Sequence, residues 1–289
     1  MRVLRRFDPW RSPICTCPPK YSLHPYTGCS HFCLYCYASS YIGRRYSRPK
    51  DNFIKKLERD LKLADRHLPI VLSTSSDPYP PLENELKLTR ETVKVLLERG
   101  FKVIIVSKSD LMVRDIDVFR LGRVTVSITI TTLDSKLSKL IEPNAPEPSR
   151  RIEAIRRLSK HGIPVSVRID PVIYGLNDDP SELRELVDTI VDAGALHVVT
   201  STYKVKLDNL ARMSASFPDL ASKWRKLYFR EGERMYGYRY LKKELRMKLL
   251  TPVVKEASRL GVTYATCREG LLTKEFFDSS SCDGSHLLY

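Results

Sequence analysis

The feature that most constrains the fold is an alternation of short apolar segments with longer amphipathic ones. The apolar runs predict buried strands, and the segments between them carry hydrophobic residues at helical spacing. Strands that alternate with helices of about 10–15 residues form right-handed βαβ units, which build a parallel sheet. The predicted strands are 21–26, 70–74, 102–106, 123–129, 164–170 and 195–200, and the predicted helices are 51–66, 86–99, 111–121, 149–161 and 181–193.

Six predicted strands are too few to close an eight-stranded barrel and fit an open, partial (β/α)6 barrel. In barrels of parallel strands, residues at the carboxyl ends of the strands face the mouth, where active sites lie. We therefore predict an α/β chain in three parts. These are an N-terminal segment 1–20 with Cys15 and Cys17, the barrel 21–202, and a basic helical extension with a cysteine-bearing tail, 203–289, in which 203–260 is helical.

Three cysteines, Cys29, Cys33 and Cys36, form a C-x3-C-x2-C run. Three thiolates can hold three irons of a [4Fe–4S] cube and leave the fourth iron open, whereas an electron-transfer cluster takes four cysteines. Half of a zinc site and a disulfide pair are the alternatives, but zinc sites favour C-x2-C pairs with a matching second pair. The spacing therefore favours an iron–sulfur cluster with one open iron.

The cysteine run resembles the signature of the radical S-adenosylmethionine (SAM) superfamily. The resemblance continues through about 22–180 and is to the spore photoproduct lyase-like branch, often labelled DNA repair photolyase-like. It implies that SAM binds the open iron and is cleaved to a 5′-deoxyadenosyl radical, with an electron donor such as ferredoxin or flavodoxin. The resembling blocks are 24–29, 75–83, 107–111, 127–129, 142–143 and 168–178.

The resemblance also implies roles for residues at the predicted mouth. Lys108 follows the third strand, where a cation can pair with the SAM carboxylate. Ser76 and Asp77 stand where the superfamily often has a Gly-Gly-Glu-type loop that holds the SAM amino group. Ser127 is placed to bond the SAM amino or ribose groups.

An arginine and two tyrosines each have both a functional and a structural interpretation. Arg168, on the fifth strand beside Asp170, is a candidate for contact with SAM or a substrate phosphate, or a structural ion pair. Tyr35 and Tyr37 flank the third cysteine, and in related enzymes aromatics here pack on the cluster and on SAM. Core packing is the alternative for both tyrosines.

One departure from the branch bears on the reaction. In spore photoproduct lyases a cysteine that donates hydrogen lies a few residues before the position of Asp77. Here residues 73–76 read Ser-Thr-Ser-Ser. A hydroxyl is a poor hydrogen-atom donor, so the sequence argues against a spore photoproduct lyase.

Four cysteines remain, Cys15, Cys17, Cys267 and Cys282. Four is the number that closes a second [4Fe–4S] cluster or a structural zinc site. A tail that folds back over the mouth would unite the two pairs, and His286 adds a candidate ligand. Unlinked cysteines are the other alternative, with Cys267 as the missing hydrogen donor.

The charge of the chain is unevenly distributed. Lys and Arg number 49 against 34 Asp and Glu, a net charge of +15, and segment 204–248 holds 13 basic and five acidic residues. Basic residues with interleaved aromatics suit a phosphate backbone and stacked bases. A solvated helical face with the aromatics in the core is the alternative. The aromatics are Tyr203, Trp224, Tyr228, Phe229, Tyr236, Tyr238 and Tyr240.

The chain has no apolar run of membrane-spanning length, and its first residues lack the apolar core of a signal peptide. Seven cysteines without a secretory signal favour reduced thiols in the cytoplasm. The preferred function is a radical SAM enzyme acting on DNA or RNA in repair or modification. The alternatives are radical modification or sulfur insertion on a small molecule or protein, and a non-catalytic metal-containing nucleic-acid-binding protein.

Overall fold

The computed structural model describes residues 2–7 and 12–289, so Met1 and residues 8–11 of the predicted N-terminal segment lie outside the described residues. Within these residues, nine strands form one sheet and four others form two small two-stranded sheets. The strands are β1 Arg5–Arg6, β2 Tyr21–Leu23, β3 Tyr26–Thr27, β4 Arg48–Pro49, β5 Ile70–Leu72, β6 Val103–Ser107, β7 Val124–Thr129, β8 Val165–Val172, β9 His197–Thr202, β10 Glu233–Met235, β11 Tyr238–Tyr240, β12 Thr263–Thr266 and β13 Phe277–Asp278.

Helices follow most of the strands and cover the outer face of the sheet. Two short 3-10 helices, Leu111–Asp115 and Ser285–Leu288, and one π-helical turn, Lys226–Arg230, complete the structure. The α-helices are α1 Ser39–Ile42, α2 Phe53–Leu61, α3 Glu83–Leu86, α4 Leu88–Glu98, α5 Ile116–Phe119, α6 Ser135–Ile141, α7 Pro148–Lys160, α8 Pro180–Asp192, α9 Leu207–Ser216, α10 Pro218–Arg225 and α11 Lys243–Arg259.

The order of strands in the sheet is β1-β2-β5-β6-β7-β8-β9-β12-β13. From β2 to β12 all neighbours pair in parallel, while β1 and β13 add antiparallel edges. This confirms the predicted α/β partial barrel. Strand β12, in the segment assigned from the sequence to the C-terminal extension, adds a seventh parallel strand. The predicted boundary at residue 202 therefore falls between two neighbouring strands.

Three predicted elements differ in the structure. The strand predicted at 21–26 ends at Leu23, since Pro25 has no amide hydrogen to continue a ladder. The helix predicted at 111–121 is a 3-10 turn followed by α5. The extension 203–260 is not helical throughout, because Tyr236 and Gly237, with φ of 47° and 80°, form the two-residue turn that joins β10 and β11.

The two faces of the parallel strands are covered by different parts of the chain. Val103 and Ile105 of β6 belong to the main core, which packs against the helices. Ile104, the residue between them, packs instead with Val71 and Leu288 inside the barrel. The last residues of the tail therefore fill the interior of the barrel.

No helix in the described part of the chain combines the length and apolar character needed to cross a bilayer.

Candidate functional site

The three motif cysteines lie on a loop that follows β3. The loop starts at Gly28, whose φ is 78°, and a Cβ there would lie 2.4 Å from the carbonyl oxygen of Tyr46. Only glycine fits this close approach of two backbones. The Cys29 amide then donates to the Arg45 carbonyl oxygen at 3.0 Å. Segment 43–48 therefore fixes where the cysteine loop begins.

All three thiols line one cavity of about 260 Å³. Burial raises the pKa of Cys29 to about 11, although backbone amides of His31 and Asp77 donate to its sulfur and oppose the rise. Burial also raises the pKa of Cys33, against the opposing charge of Lys108. Metal ligation requires thiolates, so binding of iron here releases protons.

Asp77, buried at the end of β5, joins the cysteine loop to the barrel. Its carboxylate accepts hydrogen bonds from Tyr79 N at 2.9 Å, Ser107 Oγ at 2.8 Å and Lys108 N at 2.8 Å. His31 Nε2, from the cysteine loop, lies 3.0 Å from Asp77 Oδ2. Burial opposes ionisation of Asp77, but the charge of His31 and the hydrogen bonds outweigh it and lower the pKa of Asp77 to about 2.

These contacts give Asp77 a structural role beside the predicted one. Three hydrogen bonds, from Tyr79, Ser107 and Lys108, fix its carboxylate, and the contact with His31 ties the cysteine loop to it. Asp77 also lines the cavity, so its contact with the SAM amino group stays a prediction.

The first helix of the C-terminal extension holds the same loop from the other side. Arg212 donates to the carbonyl oxygens of Leu34 at 3.1 Å and Cys36 at 2.9 Å. Asn209 donates to the carbonyl oxygen of Tyr35, between them, at 2.9 Å. Three consecutive carbonyls of the loop are thus satisfied by α9. Sequence analysis missed both residues; their spacing of three on one helical face was the only local signal.

Lys108 lies on the wall of the cavity beside a buried carboxylate. Its Nζ is 3.9 Å from Glu142 Oε1 and 5.6 Å from the centre of the Tyr35 ring. Glu142 also accepts a hydrogen bond from the Tyr35 hydroxyl and pairs with Arg151 at 2.6 Å. Burial disfavours the charge of Lys108, but Glu142 and Cys33 outweigh it and raise its pKa. Lys108 is therefore held as an ammonium group in the cavity.

The serines predicted to contact SAM divide into one that lines the cavity and one that does not. Ser76 lines it, and its buried hydroxyl has no hydrogen-bond partner among the described residues. Ser127 does not line it. Strand β7 continues past Ser127, and Thr129, two residues later on the same face, is the residue that reaches the cavity. The buried hydroxyl of Ser127 also has no hydrogen-bond partner among the described residues, so its contact with SAM stays a prediction.

Arg168 and Asp170 form an ion pair on the cavity wall, with Arg168 Nη2 2.6 Å from Asp170 Oδ2. Asp170 also accepts from Ser201 Oγ at 2.5 Å, and the Arg168 side chain hydrogen-bonds to Cys267. Burial opposes ionisation of Asp170, but Arg168 and then Lys204 outweigh it and lower its pKa to about 2. The ion pair is therefore present, and because Arg168 also lines the cavity, its contact with SAM or a substrate phosphate stays a prediction.

A family model, the Radical SAM superfamily, matches residues 23–190 and includes this cysteine loop and the strand ends around it. The chain belongs to the radical SAM superfamily. It is 35% identical over 165 residues to an uncharacterized protein of Methanocaldococcus jannaschii, a match that covers 55% of this chain and 62% of that protein. The chain thus spans less than two thirds of the length of that relative.

Two other similarities concern proteins with more specific names. A radical SAM Nalpha-GlyT isomerase of Pseudomonas phage M6 is 23% identical, over 85% of this chain and 53% of that protein. Spore photoproduct lyase complexed with dinucleoside spore photoproduct has a similar fold, with a TM-score of 0.69 and 15% identity, over 85% of this chain and 75% of that one. At this identity the second similarity shows the fold alone.

Membership in the radical SAM superfamily implies a [4Fe–4S] cluster and SAM, and the residues present fit both. Three free, half-buried cysteines provide the ligands of a cluster with one open iron. The unpartnered hydroxyl of Ser76 and the ammonium group of Lys108 face the same cavity. Tyr35 and Tyr37 line it as well. The donors therefore suit a cluster and a ligand that carries amino and carboxylate groups.

Three of the other four cysteines, Cys15, Cys17 and Cys267, line the same cavity, and Cys282 contacts one of them. Cys17 Sγ lies 3.3 Å from Cys282 Sγ, and the Cys15 thiol hydrogen-bonds to Cys17. Cys267 is close enough to raise the pKa values of Cys15 and Cys282 electrostatically. Whether they bind metal stays a prediction. His286 is not placed as a ligand, because Ser281 and Thr263 engage its two ring nitrogens at 2.7 and 3.2 Å, a correction to the sequence analysis.

The aromatic residues of the basic segment are mostly in the core. Five of the seven are buried and therefore not available to stack on bases, which corrects the predicted stacking surface. Only Phe229 and Tyr236 among them are exposed, by 36% and 47%. The buried ones are Tyr203, Trp224, Tyr228, Tyr238 and Tyr240.

Proposed function

We propose that this protein is a radical SAM enzyme that abstracts hydrogen from a nucleic-acid substrate. The observation that carries the proposal is the convergence of Cys29, Cys33 and Cys36 with Lys108 and Ser76 on one cavity. When bound, the cluster and SAM supply a 5′-deoxyadenosyl radical inside that cavity. An acidic electron carrier such as ferredoxin or flavodoxin is the proposed reductant, since the chain carries a net charge of +15.

The chain's own residues bind the cluster and SAM, orient them, and shield the radical. The three cysteines hold the cluster, while Asp77 and Arg212 fix the loop that carries them. Lys108 provides the charge for the SAM carboxylate. Ser76 provides a hydroxyl for its amino group, which an unpartnered buried hydroxyl is well placed to do.

The nucleic-acid substrate is supported by the surface that surrounds the cysteine loop. Tyr46, next to the loop, is 69% exposed, and its ring packs edge-on against Phe32 at 4.8 Å. Arg44 donates to the Phe32 carbonyl oxygen at 3.1 Å, and Arg45 and Arg48 are exposed beside it. Exposed rings and arginines suit bases and phosphates. The spore photoproduct lyase with a similar fold is complexed with a dinucleoside. A base in a duplex would have to be flipped out to reach the cavity.

The enzymatic part of the proposal is tested by reductive cleavage of SAM. After anaerobic reconstitution, the wild type should release 5′-deoxyadenosine when reduced with dithionite. Cys33→Ala should release none, because the cluster loses one of its three ligands. Ser40→Ala, on α1 just beyond the loop, is the matched control and should cleave SAM like the wild type. Cleavage by Cys33→Ala would overturn the assignment of the loop.

The substrate class is tested by the salt dependence of binding to DNA and RNA oligonucleotides, followed by fluorescence anisotropy. Affinity should fall steeply as the salt concentration rises. The double variant Arg45→Ala/Arg48→Ala should reduce the slope of log affinity against log salt concentration by about 2. Lys62→Ala/Arg66→Ala removes the same charge near the amino end of β5, away from the cavity, and should leave the slope unchanged. A slope near zero for the wild type would refute a nucleic-acid substrate.

A further inference from the structure

Four cysteines from the two ends of the chain meet beside the cavity of the cysteine loop, which Cys15, Cys17 and Cys267 line. Cys15 and Cys17 precede β2, Cys267 follows β12, and Cys282 follows β13. Cys17 and Cys282, whose sulfurs are 3.3 Å apart, are separated by 265 residues of chain. This separation is well beyond the roughly 2.05 Å of a disulfide bond, and all seven cysteines are free.

The fold brings these cysteines together by specific contacts at both ends of the chain. Because β12 runs parallel to β9, its carboxyl end carries Cys267 to the mouth of the barrel, where the Cys267 amide donates to the Thr200 carbonyl oxygen at 2.9 Å. Strand β13 then returns antiparallel to β12. Beyond it, Asp283 forms a buried ion pair with Lys20, which follows Cys17 by three residues. The tail is thereby tied to the N-terminal segment at the cysteines.

The surroundings of the four thiols suit thiolate ligands. Lys20 is 3% exposed and acts electrostatically on both Cys17 and Cys282. The Arg168 side chain hydrogen-bonds to Cys267. Buried cations and donors next to sulfur offset the negative charge that four thiolates bring to a metal centre and tune its potential.

The four remaining cysteines supply the number of thiolates that a fully liganded [4Fe–4S] cube needs. Three of them, Cys15, Cys17 and Cys267, border the cavity of the cysteine loop, and the Cys282 sulfur lies 3.3 Å from that of Cys17. A set of four cysteines also suits zinc, so the metal content of the reconstituted protein decides between the two.

We propose that Cys15, Cys17, Cys267 and Cys282 bind a second [4Fe–4S] cluster. With four cysteine ligands this cluster has no open iron, so it exchanges electrons but does not bind SAM. The cluster of Cys29, Cys33 and Cys36 is then the one that responds to SAM. Cys267 is a ligand in this arrangement and is not available as a hydrogen donor.

Iron and acid-labile sulfide counts after anaerobic reconstitution test the proposal. We expect about eight irons per chain in the wild type and about four in either of two variants, Cys29/Cys33/Cys36→Ala and Cys15/Cys17/Cys267/Cys282→Ala. The reduced cluster that stays in the first variant should give an electron paramagnetic resonance signal that SAM does not shift. In the second variant SAM should shift the signal.

The outcomes separate this proposal from the proposed function. About four irons in the wild type and none in the triple variant would overturn the second cluster and leave the radical cluster intact. About four in both would establish the second cluster and overturn the radical assignment. Zinc bound in place of iron, or a Cys17–Cys282 disulfide in the protein purified without air, would also overturn it. A wild-type count of about eight establishes two clusters even if a variant fails to fold.

Discussion

The two cysteine sites differ in how the chain builds them. Cys29, Cys33 and Cys36 lie within eight residues of one loop, and α9, β5 and β6 only hold that loop in place. The other site takes Cys15 and Cys17 from one end of the chain and two cysteines from the opposite end. A local site needs its loop to be positioned, whereas the second needs the whole barrel to be folded first.

This difference has a physical consequence for loss of function. The local loop keeps its three thiols close together even when its supports weaken, since short loops cost little entropy to close. The second site depends on contacts such as Lys20–Asp283 that join the ends of the chain. Damage to the supports of one site should therefore leave the other largely intact, and substitutions at those supports can test the comparison.

The largest effect is expected at the support of the cysteine loop. Asp77→Asn removes a buried charge next to His31 and weakens three hydrogen bonds. Breaking a buried ion pair in this way lowers the free energy of unfolding by about 3–5 kcal/mol, and we expect the upper end of that range. Urea unfolding measures the loss, and SAM cleavage should fall with it. Wild-type stability of the variant would show that Asp77 does not hold the loop.

The corresponding substitution at the second site is Lys20→Met, which keeps the apolar stem and leaves Asp283 unpaired. We expect the free energy of unfolding to fall by about 3 kcal/mol, because the buried carboxylate of Asp283 then lacks its partner. Iron of the second cluster should be lost while SAM cleavage at the first cluster continues. Equal loss of both clusters would show that the two sites are not independent. Lys20→Met/Asp283→Leu, which removes both charges, should recover much of the stability.

Local features of this molecule could be predicted from the sequence, whereas contacts between distant parts of the chain mostly could not. The C-x3-C-x2-C run and the alternation of strands and helices are local patterns, and they led to the family and the barrel. The contacts of Arg212 and Asn209 with the cysteine loop, about 175 residues away, left no comparable signal. The seventh strand β12 was missed as part of the barrel because its four residues follow an irregular extension. The meeting of Cys17 with Cys282 was foreseen only as one of several alternatives.

A smaller loss of stability is expected from a substitution on α9, the helix that holds the cysteine loop. Arg212→Ala removes donors to the carbonyl oxygens of Leu34 and Cys36, and at about 1 kcal/mol per hydrogen bond the loss is about 2 kcal/mol. We expect faster loss of iron from the first cluster on exposure to a chelator, with the second cluster unaffected. Arg225→Ala, an exposed arginine on α10, is the matched control. Identical chelation rates for Arg212→Ala and the control would exclude a role for Arg212 in holding the loop.

The smallest effect is expected at the side chain of Lys108, since it is the backbone amide of this residue that bonds to Asp77. Lys108→Ala removes the ammonium group that we propose pairs with the SAM carboxylate. Loss of one charge-assisted contact at a partly solvated site should weaken SAM binding about tenfold, or about 1.4 kcal/mol. Cluster absorbance should persist, since the thiols are intact. Lys102→Ala, at the opposite end of β6 where Nζ lies 3.6 Å from the centre of the Tyr289 ring, is the control. Equilibrium dialysis with SAM measures the difference. Unchanged affinity would remove Lys108 from the SAM site, and loss of the cluster would mean that its contact with Glu142 supports the loop after all.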